Sequence, residues 1–290
     1  MRNTLGFYFS EQIGMAWTPK AKPVELVLNG DYKGLYFLTE LIRVDKDRVN
    51  IVEQEDNETD SDKITGGWLV EIDNYREDPQ IRFMEGNTGE EMAITYKTPE
   101  ELSSAQEKFL KEEMLRIDRL VYGDKQSDEL WKYLDMDALA KFYIVQEIMD
   151  NYESFHGSCY LYREMGEGEK WHFGPVWDFG SAFNRDKNQY IYQGDVWHNH
   201  WIPEICKFPK FMDRVKEIWK WLHYHKYASA YDYAEKFANH IAEAAKNDAD
   251  RWKGKYDANR DMMYRLQRTH RRLRITEEWL VEKWGKGTDV

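Results

Sequence analysis

Residues 151–183 read NYESFHGSCYLYREMGEGEKWHFGPVWDFGSAF. The stretch predicts a polar loop, a strand over 159–163, a turn at Gly166-Glu167-Gly168 and a second strand over 170–177 that runs into Asp178-Phe179-Gly180. Paired strands of a hairpin are antiparallel, so the residue before the first and the residue after the second lie at one end. Those residues are Glu153 and Asp178. Two carboxylates beside a buried aromatic hairpin can hold a divalent cation and orient a hydroxyl for phosphoryl transfer. The plainer reading is that Asp178 caps a turn and Glu153 is a solvated loop residue.

Composition sets the bounds. The 290 residues suffice for one large domain or two lobes, and 42% hydrophobic with 12 Trp and 19 Tyr supplies ample core. A net charge of −12 argues against a nonspecific nucleic-acid binder, which needs a basic stripe over the phosphates, and weakly against an anionic membrane surface. No apolar run approaches the roughly 18 residues of a transmembrane helix. Met1-Arg2-Asn3 leads straight into an amphipathic segment, with no signal peptide in this chain. Cys159 and Cys206 make neither a metal spacing nor a disulfide framework.

Outward from the hairpin, the first hundred residues read as β-rich. Leu5, Phe9 and Ile13 place a helix over 3–15 that Gly14 can end. Strands over 24–28 and 33–40 flank Asn29-Gly30, a strong hairpin signal. Gly34 leaves room on the pleat for a neighbour. A third strand is expected near Val49-Asn50-Ile51, and further strands over 66–73 and 91–97. The acidic run 53–63 predicts a solvated loop. After Pro99 the pattern turns helical, over 100–122, over 136–149 with Asp135 as N-cap, and over 208–222, 227–254 and 257–284. The expectation is an α+β protein with a small β-rich N-terminal lobe, 1–98, and a larger helical C-terminal lobe, 99–290, that carries the hairpin.

Two segments together, VELVLNGDYKGLYFLTELIRVDKDRVNI (24–51) and GPVWDFGSAF (174–183), resemble the CotH (spore coat protein H) kinase family. The opening MRNTLGFYFSEQIG, the GGWLVEID strand and the Trp-rich C-terminal helices are similar to its bacterial, non-spore members. The resemblance covers almost the whole chain. It implies an atypical protein-kinase-like fold that binds Mg-ATP, with Mn2+ as an alternative ion, between two lobes and phosphorylates serine or threonine on a protein substrate.

Carried over residue by residue, the resemblance makes Asp178 the metal-binding aspartate and Trp177 an aromatic beside the nucleotide. Glu153 stands where the family has its catalytic aspartate, and Ser158 where a metal-facing asparagine follows five residues later. Both are departures: Glu is one methylene longer, and Ser is a poorer metal ligand than Asn. Asp150 becomes the functional acid if the register shifts by three. Gly180 replaces a second acid found in many relatives. Glu40 falls where the family's strand passes into the adenine-facing linker. Relatives usually carry a strand-rich segment before the MRN motif, with a phosphate-contacting lysine expected there, and this chain starts at that motif. Lys97 is the candidate to reach the phosphates instead, against the plainer reading of a solvated strand residue. Since relatives are often exported, the compartment stays open.

No glycine-rich phosphate loop of the P-loop or ordinary-kinase kind is present, and no HRD-type catalytic loop. The departures favour an alternative function, a catalytically impaired kinase-shaped scaffold binding a protein or glycan partner. A glycosidase using Glu153 and Asp178 as paired acids is a more distant alternative. His198-Asn199-His200 could ligate a metal, and His156 beside Glu153 could relay a proton or touch a phosphate. His223 and His225 read as surface and packing residues. The run Arg268–Arg274 could meet an acidic partner or pair with acids on neighbouring helices.

Overall fold

Asn29 and Gly30 both have positive φ, 52° and 79°, the geometry of a two-residue turn whose twist matches its strands. The turn joins β1 (Ala21–Leu28) to β2 (Asp31–Thr39), antiparallel from Ala21 opposite Thr39 to Leu28 opposite Asp31. The computed structural model describes residues 1–75, 79–123, 126–193, 198–253 and 262–288. Within them the hairpin is a sheet of its own. Two strands alone are marginally stable in water, so the hairpin needs a support. That support is the helix Ser229–Arg251 (numbered α6 below). Its Asp248 accepts the Leu35 N–H at 2.9 Å, and its Phe237 stacks on Phe37 at 6.0 Å. Gly34 is the neighbour-accommodating residue that the sequence suggested. Its φ is 119°, and a Cβ there would sit 2.4 Å from the Asp248 carboxylate.

The second sheet has the order β4-β5-β3-β6-β7, with every neighbouring pair antiparallel. Its strands are β3 (Trp68–Ile72), β4 (Gln80–Met84), β5 (Glu91–Thr98), β6 (Cys159–Arg163) and β7 (Trp171–Phe173). It draws strands from both sides of residue 98. β3 is central and all five of its residues are buried, which explains why four of them are apolar. Its register sets Glu71 opposite Tyr160 and Ile72 opposite Cys159.

Helices cover this sheet. α1 (Arg2–Ile13) ends where Gly14 turns left-handed at φ 76°. α2 (Ser104–Val121) starts with a full capping box between Ser103 and Gln106. α3 (Met136–Met149) is capped by Asp135, whose carboxylate accepts the Ala138 N–H at 2.7 Å. α3 is hydrophobic on nearly every side, and it runs through the core against α1, β7 and two later helices. These are α5 (Pro209–Leu222), which follows the short α4 (Ile202–Ile205), and α7 (Met262–Trp284).

Four expectations need correction. Residues 49–51 form no strand; a single parallel bridge joins Val44 to Val49. β4 was not anticipated, although Gln80-Ile81-Arg82-Phe83-Met84 alternates polar and buried apolar residues. β7 stops at Phe173, because Pro175 has no N–H to continue a ladder. α2 begins at Ser104 rather than 100, at its capping serine. The expected helix start at 257 lies outside the described residues. The acidic run 53–63 is irregular as expected, though Gln54 is buried and receives a hydrogen bond from Gln106 Nε2 at 2.6 Å.

Candidate active site

The loop from α3 to β6 is wound tightly. Asp150 ends α3 in a left-handed turn at φ 47°. The next turn is closed by the N–H groups of His156 and Gly157, which both donate to the Glu153 carbonyl at 3.0 and 3.2 Å. Ser158, at φ 53°, then leads into β6. On the other side β7 gives way to an extended segment ending at Asp178, φ 45°. Asn151 ties the two sides together: its amide donates to the Asp178 carbonyl at 3.1 Å and to Gln146 Oε1 at 2.9 Å. The Phe179 N–H is held by Asn3 Oδ1 at 2.9 Å, and the Phe179 ring lies over α1 at Gly6, where a Cβ would fall 2.2 Å from it.

Glu153 and Asp178 share a neighbourhood here. Ser181, three residues beyond Asp178, donates its hydroxyl proton to Glu153 Oε2. Both carboxylates lie near the Tyr75 phenol, whose pKa is raised first by burial and then by Glu153 and Asp178. The turn-capping reading of Asp178 holds for one oxygen, since Oδ1 accepts the Gly180 N–H at 2.9 Å. Asp178 is exposed, and among the described residues nothing hydrogen-bonds to its Oδ2. That leaves an oxygen directed at solvent and able to take a cation. Glu153 is half-buried.

Lys97 and Ser158 are joined through a residue the sequence reading did not single out. Lys97 Nζ lies 3.0 Å from Glu71 Oε2, and the Ser158 N–H donates to Glu71 Oε1 at 3.0 Å. Burial raises the Glu71 pKa, and Lys97 opposes the shift. The signal was present: Glu71 is the one charged residue of Trp68-Leu69-Val70-Glu71-Ile72. A buried charge at the centre of an apolar strand demands a partner.

The remaining candidates have varied surroundings. Asp150 is 2% exposed and faces Arg185 at 3.3 Å and Lys187 at 3.6 Å; burial raises its pKa against those two cations. Glu40 closes the separate hairpin sheet, where its carboxylate accepts the Lys20 N–H at 2.9 Å. Trp177 is half-buried, its ring 6.2 Å from Phe7 and tilted by 35°. His156 is buried and its pKa lowered by that burial; Nδ1 lies 3.1 Å from the His198 carbonyl. His198 and His200 converge on Glu85. His223 packs as expected, against Glu277 at 3.1 Å. In the arginine run, Arg272 reaches Asp186 at 2.8 Å, while Arg265, Arg268 and Arg272 line a cleft of about 360 Å3 with Arg2. Arg2 also donates to the Gly180 carbonyl and to Asn184 at 2.8 Å, so this basic cleft borders the Asp178 loop. A second cleft, about 450 Å3, is lined by Trp17, Asp135, Lys141, Tyr162 and His172 and touches neither candidate acid.

No curated protein matches the chain. A family model described as CotH kinase protein matches residues 1–277. The match spans nearly the whole chain, including the Glu153 and Asp178 loops, the Glu71–Lys97 pair and the sheet that carries them, and by it this chain belongs to the CotH kinase family.

Proposed function

We propose that the chain is an atypical protein serine/threonine kinase that transfers the γ-phosphate of ATP to a protein hydroxyl with Mg2+. The observation that supports this reading is the tie that Asn151 makes between the loops carrying Glu153 and Asp178, within a member of this family. Phosphoryl transfer asks a protein mainly to position groups and offset charge. Mg2+ needs only one or two carboxylates besides phosphate oxygens and water. The exposed Oδ2 of Asp178 fits that demand, with Ser158 as a weaker candidate ligand. When bound, the ion neutralises phosphate charge.

The remaining roles fall to this chain's own side chains. Glu153 orients the attacking hydroxyl and accepts its proton; it already accepts a hydrogen bond from Ser181, which the substrate hydroxyl replaces. Lys97, held by Glu71, supplies a cation toward the phosphates, a pairing of the same form as the Lys–Glu pair of ordinary kinases. Trp177 offers a ring edge to the nucleotide. The arginine cleft gives an acidic acceptor segment a place beside the Asp178 loop.

A second reading, a kinase-shaped binding scaffold, is favoured by the Glu, Ser and Gly replacements at 153, 158 and 180. Incubation with γ-labelled ATP and Mg2+ or Mn2+, beside Asp178→Ala, separates the two. Label on the chain or on a Ser-rich acceptor that vanishes in Asp178→Ala supports the kinase. No label, with no thermal shift by Mg-ATP, leaves the scaffold.

A further inference from the structure

Behind the candidate catalytic loop, three metal-ligating side chains converge on one point. Glu85 Oε2 lies 2.5 Å from His198 Nε2 and 2.6 Å from His200 Nδ1. The three ligand atoms all lie within 4.8 Å of one another. Glu85 and His200 are fully buried, and the His198 side chain is 30% exposed. The other oxygen of Glu85 is fully occupied: Oε1 accepts the Tyr122 hydroxyl at 2.6 Å and the Trp201 N–H at 2.9 Å. Glu85 therefore devotes its second oxygen, Oε2, to the two imidazole nitrogens.

The surroundings match what a metal-bound histidine requires. A ligating imidazole hands its other N–H to an acceptor, which fixes its tautomer. His200 Nε2 lies 2.6 Å from the Asn74 side-chain amide. Among the described residues the Asn74 Oδ1 is buried without a hydrogen-bond partner, while Nδ2 faces His200. Turned end for end, the amide offers Oδ1 to a His200 Nε2–H and leaves Nδ1 free to ligate. A set of two histidines and one carboxylate is a zinc ligand set. A plain ion-paired His-Glu-His cluster accounts for the same short contacts, and uptake of Zn2+ separates the two.

We propose that Glu85 Oε2, His198 Nε2 and His200 Nδ1 bind one Zn2+, distinct from any ion at Asp178. The ion fastens the chain at 198–201 to the end of β4. Through Asn74, whose backbone N–H donates to the His156 carbonyl at 3.0 Å, it braces the loop that carries Glu153. Binding displaces the protons shared between Glu85 and the imidazoles to solvent.

The test starts from chelator-stripped full chain in excess Mg2+, titrated with Zn2+ against a chromophoric competitor. Wild type, Asp178→Ala and His225→Ala should each take up one Zn2+ per chain, and the Co2+ form should show visible d–d absorption. His198→Ala should bind at least ~10-fold more weakly, and Asn74→Leu ~10–100-fold more weakly. His198→Cys should restore binding and add a thiolate charge-transfer band in the Co2+ form. Zn2+ should raise the unfolding midpoint of wild type but not of His198→Ala. The proposal is overturned if wild type takes up no Zn2+, or if Asp178→Ala abolishes uptake, which would put the ion at the other site. The wild-type titration decides the matter even where a variant misfolds, and it does so whether or not the chain transfers phosphate.

Discussion

At the residue scale, two acids three positions apart have opposite environments. Asp150 is buried in a cluster with Glu147, Lys187 and Arg185, and burial raises the pKa of both acids. Glu153 is half-buried and bonded to a serine hydroxyl. Glu153→Gln should therefore lower phosphotransfer by ~10²–10⁴, the usual span for a general base, and leave the unfolding midpoint nearly unchanged. Initial rates with labelled ATP and a thermal melt check this. The buried cluster should respond the other way. The Lys187 side chain is 2% exposed, and Lys187→Met strands the Glu147 carboxylate and leaves Asp150 with Arg185 alone, at a cost of ~3–5 kcal/mol in urea unfolding. The double change Lys187→Met with Glu147→Gln should recover part of that loss, because it removes one stranded charge.

At the element scale, α1 is held against the Asp178 loop by the absence of a side chain. Gly6→Ala improves helix propensity by ~1 kcal/mol but drives a methyl into the Phe179 ring, at ~1–3 kcal/mol. The clash should win. We expect lower stability in urea and slower phosphotransfer, since Phe179 is bonded to α1 through Asn3 and neighbours Asp178. The β1–β2 hairpin depends in the same way on α6. Asp248→Ala leaves the Leu35 N–H without its acceptor, worth ~1–2 kcal/mol, and protease cleavage within 21–39 should quicken while the rest of the chain resists. Most of these elements were legible from local signals: Gly14 at the end of α1, Asn29-Gly30, and the Ser103 and Asp135 caps. β4 was overlooked because it is five residues long and follows a proline, although its alternation was visible. The 49–51 segment misled because an apolar pair suggests a strand that only an available sheet edge can supply.

At the scale of the whole molecule, charge pairs between distant elements set how stability depends on pH. Asp137, in the first turn of α3, bonds Arg214 of α5 through both oxygens at 2.7 Å, and that bond holds its pKa below the usual carboxylate value, against a smaller opposing effect of burial. A lowered folded pKa means the stabilisation is present above the unfolded carboxylate pKa and is lost as pH falls through the folded value. The pair is half exposed, so its worth is below ~1 kcal/mol. Arg214→Ala should flatten the acid limb of a stability-against-pH curve by no more than that and leave neutral-pH activity intact.

The sequence alone determined the elements whose signals are local, the α+β class and the family. The tertiary structure decided the partnerships. Glu71 meets the Ser158 N–H across 87 positions, and Glu85 meets His198 and His200 across 113 and 115. Nothing in the spacing announces such pairs, because strand register and helix packing bring them together. The same packing buried Asp150 while leaving Asp178 open, a distinction between two aspartates that only their surroundings can make.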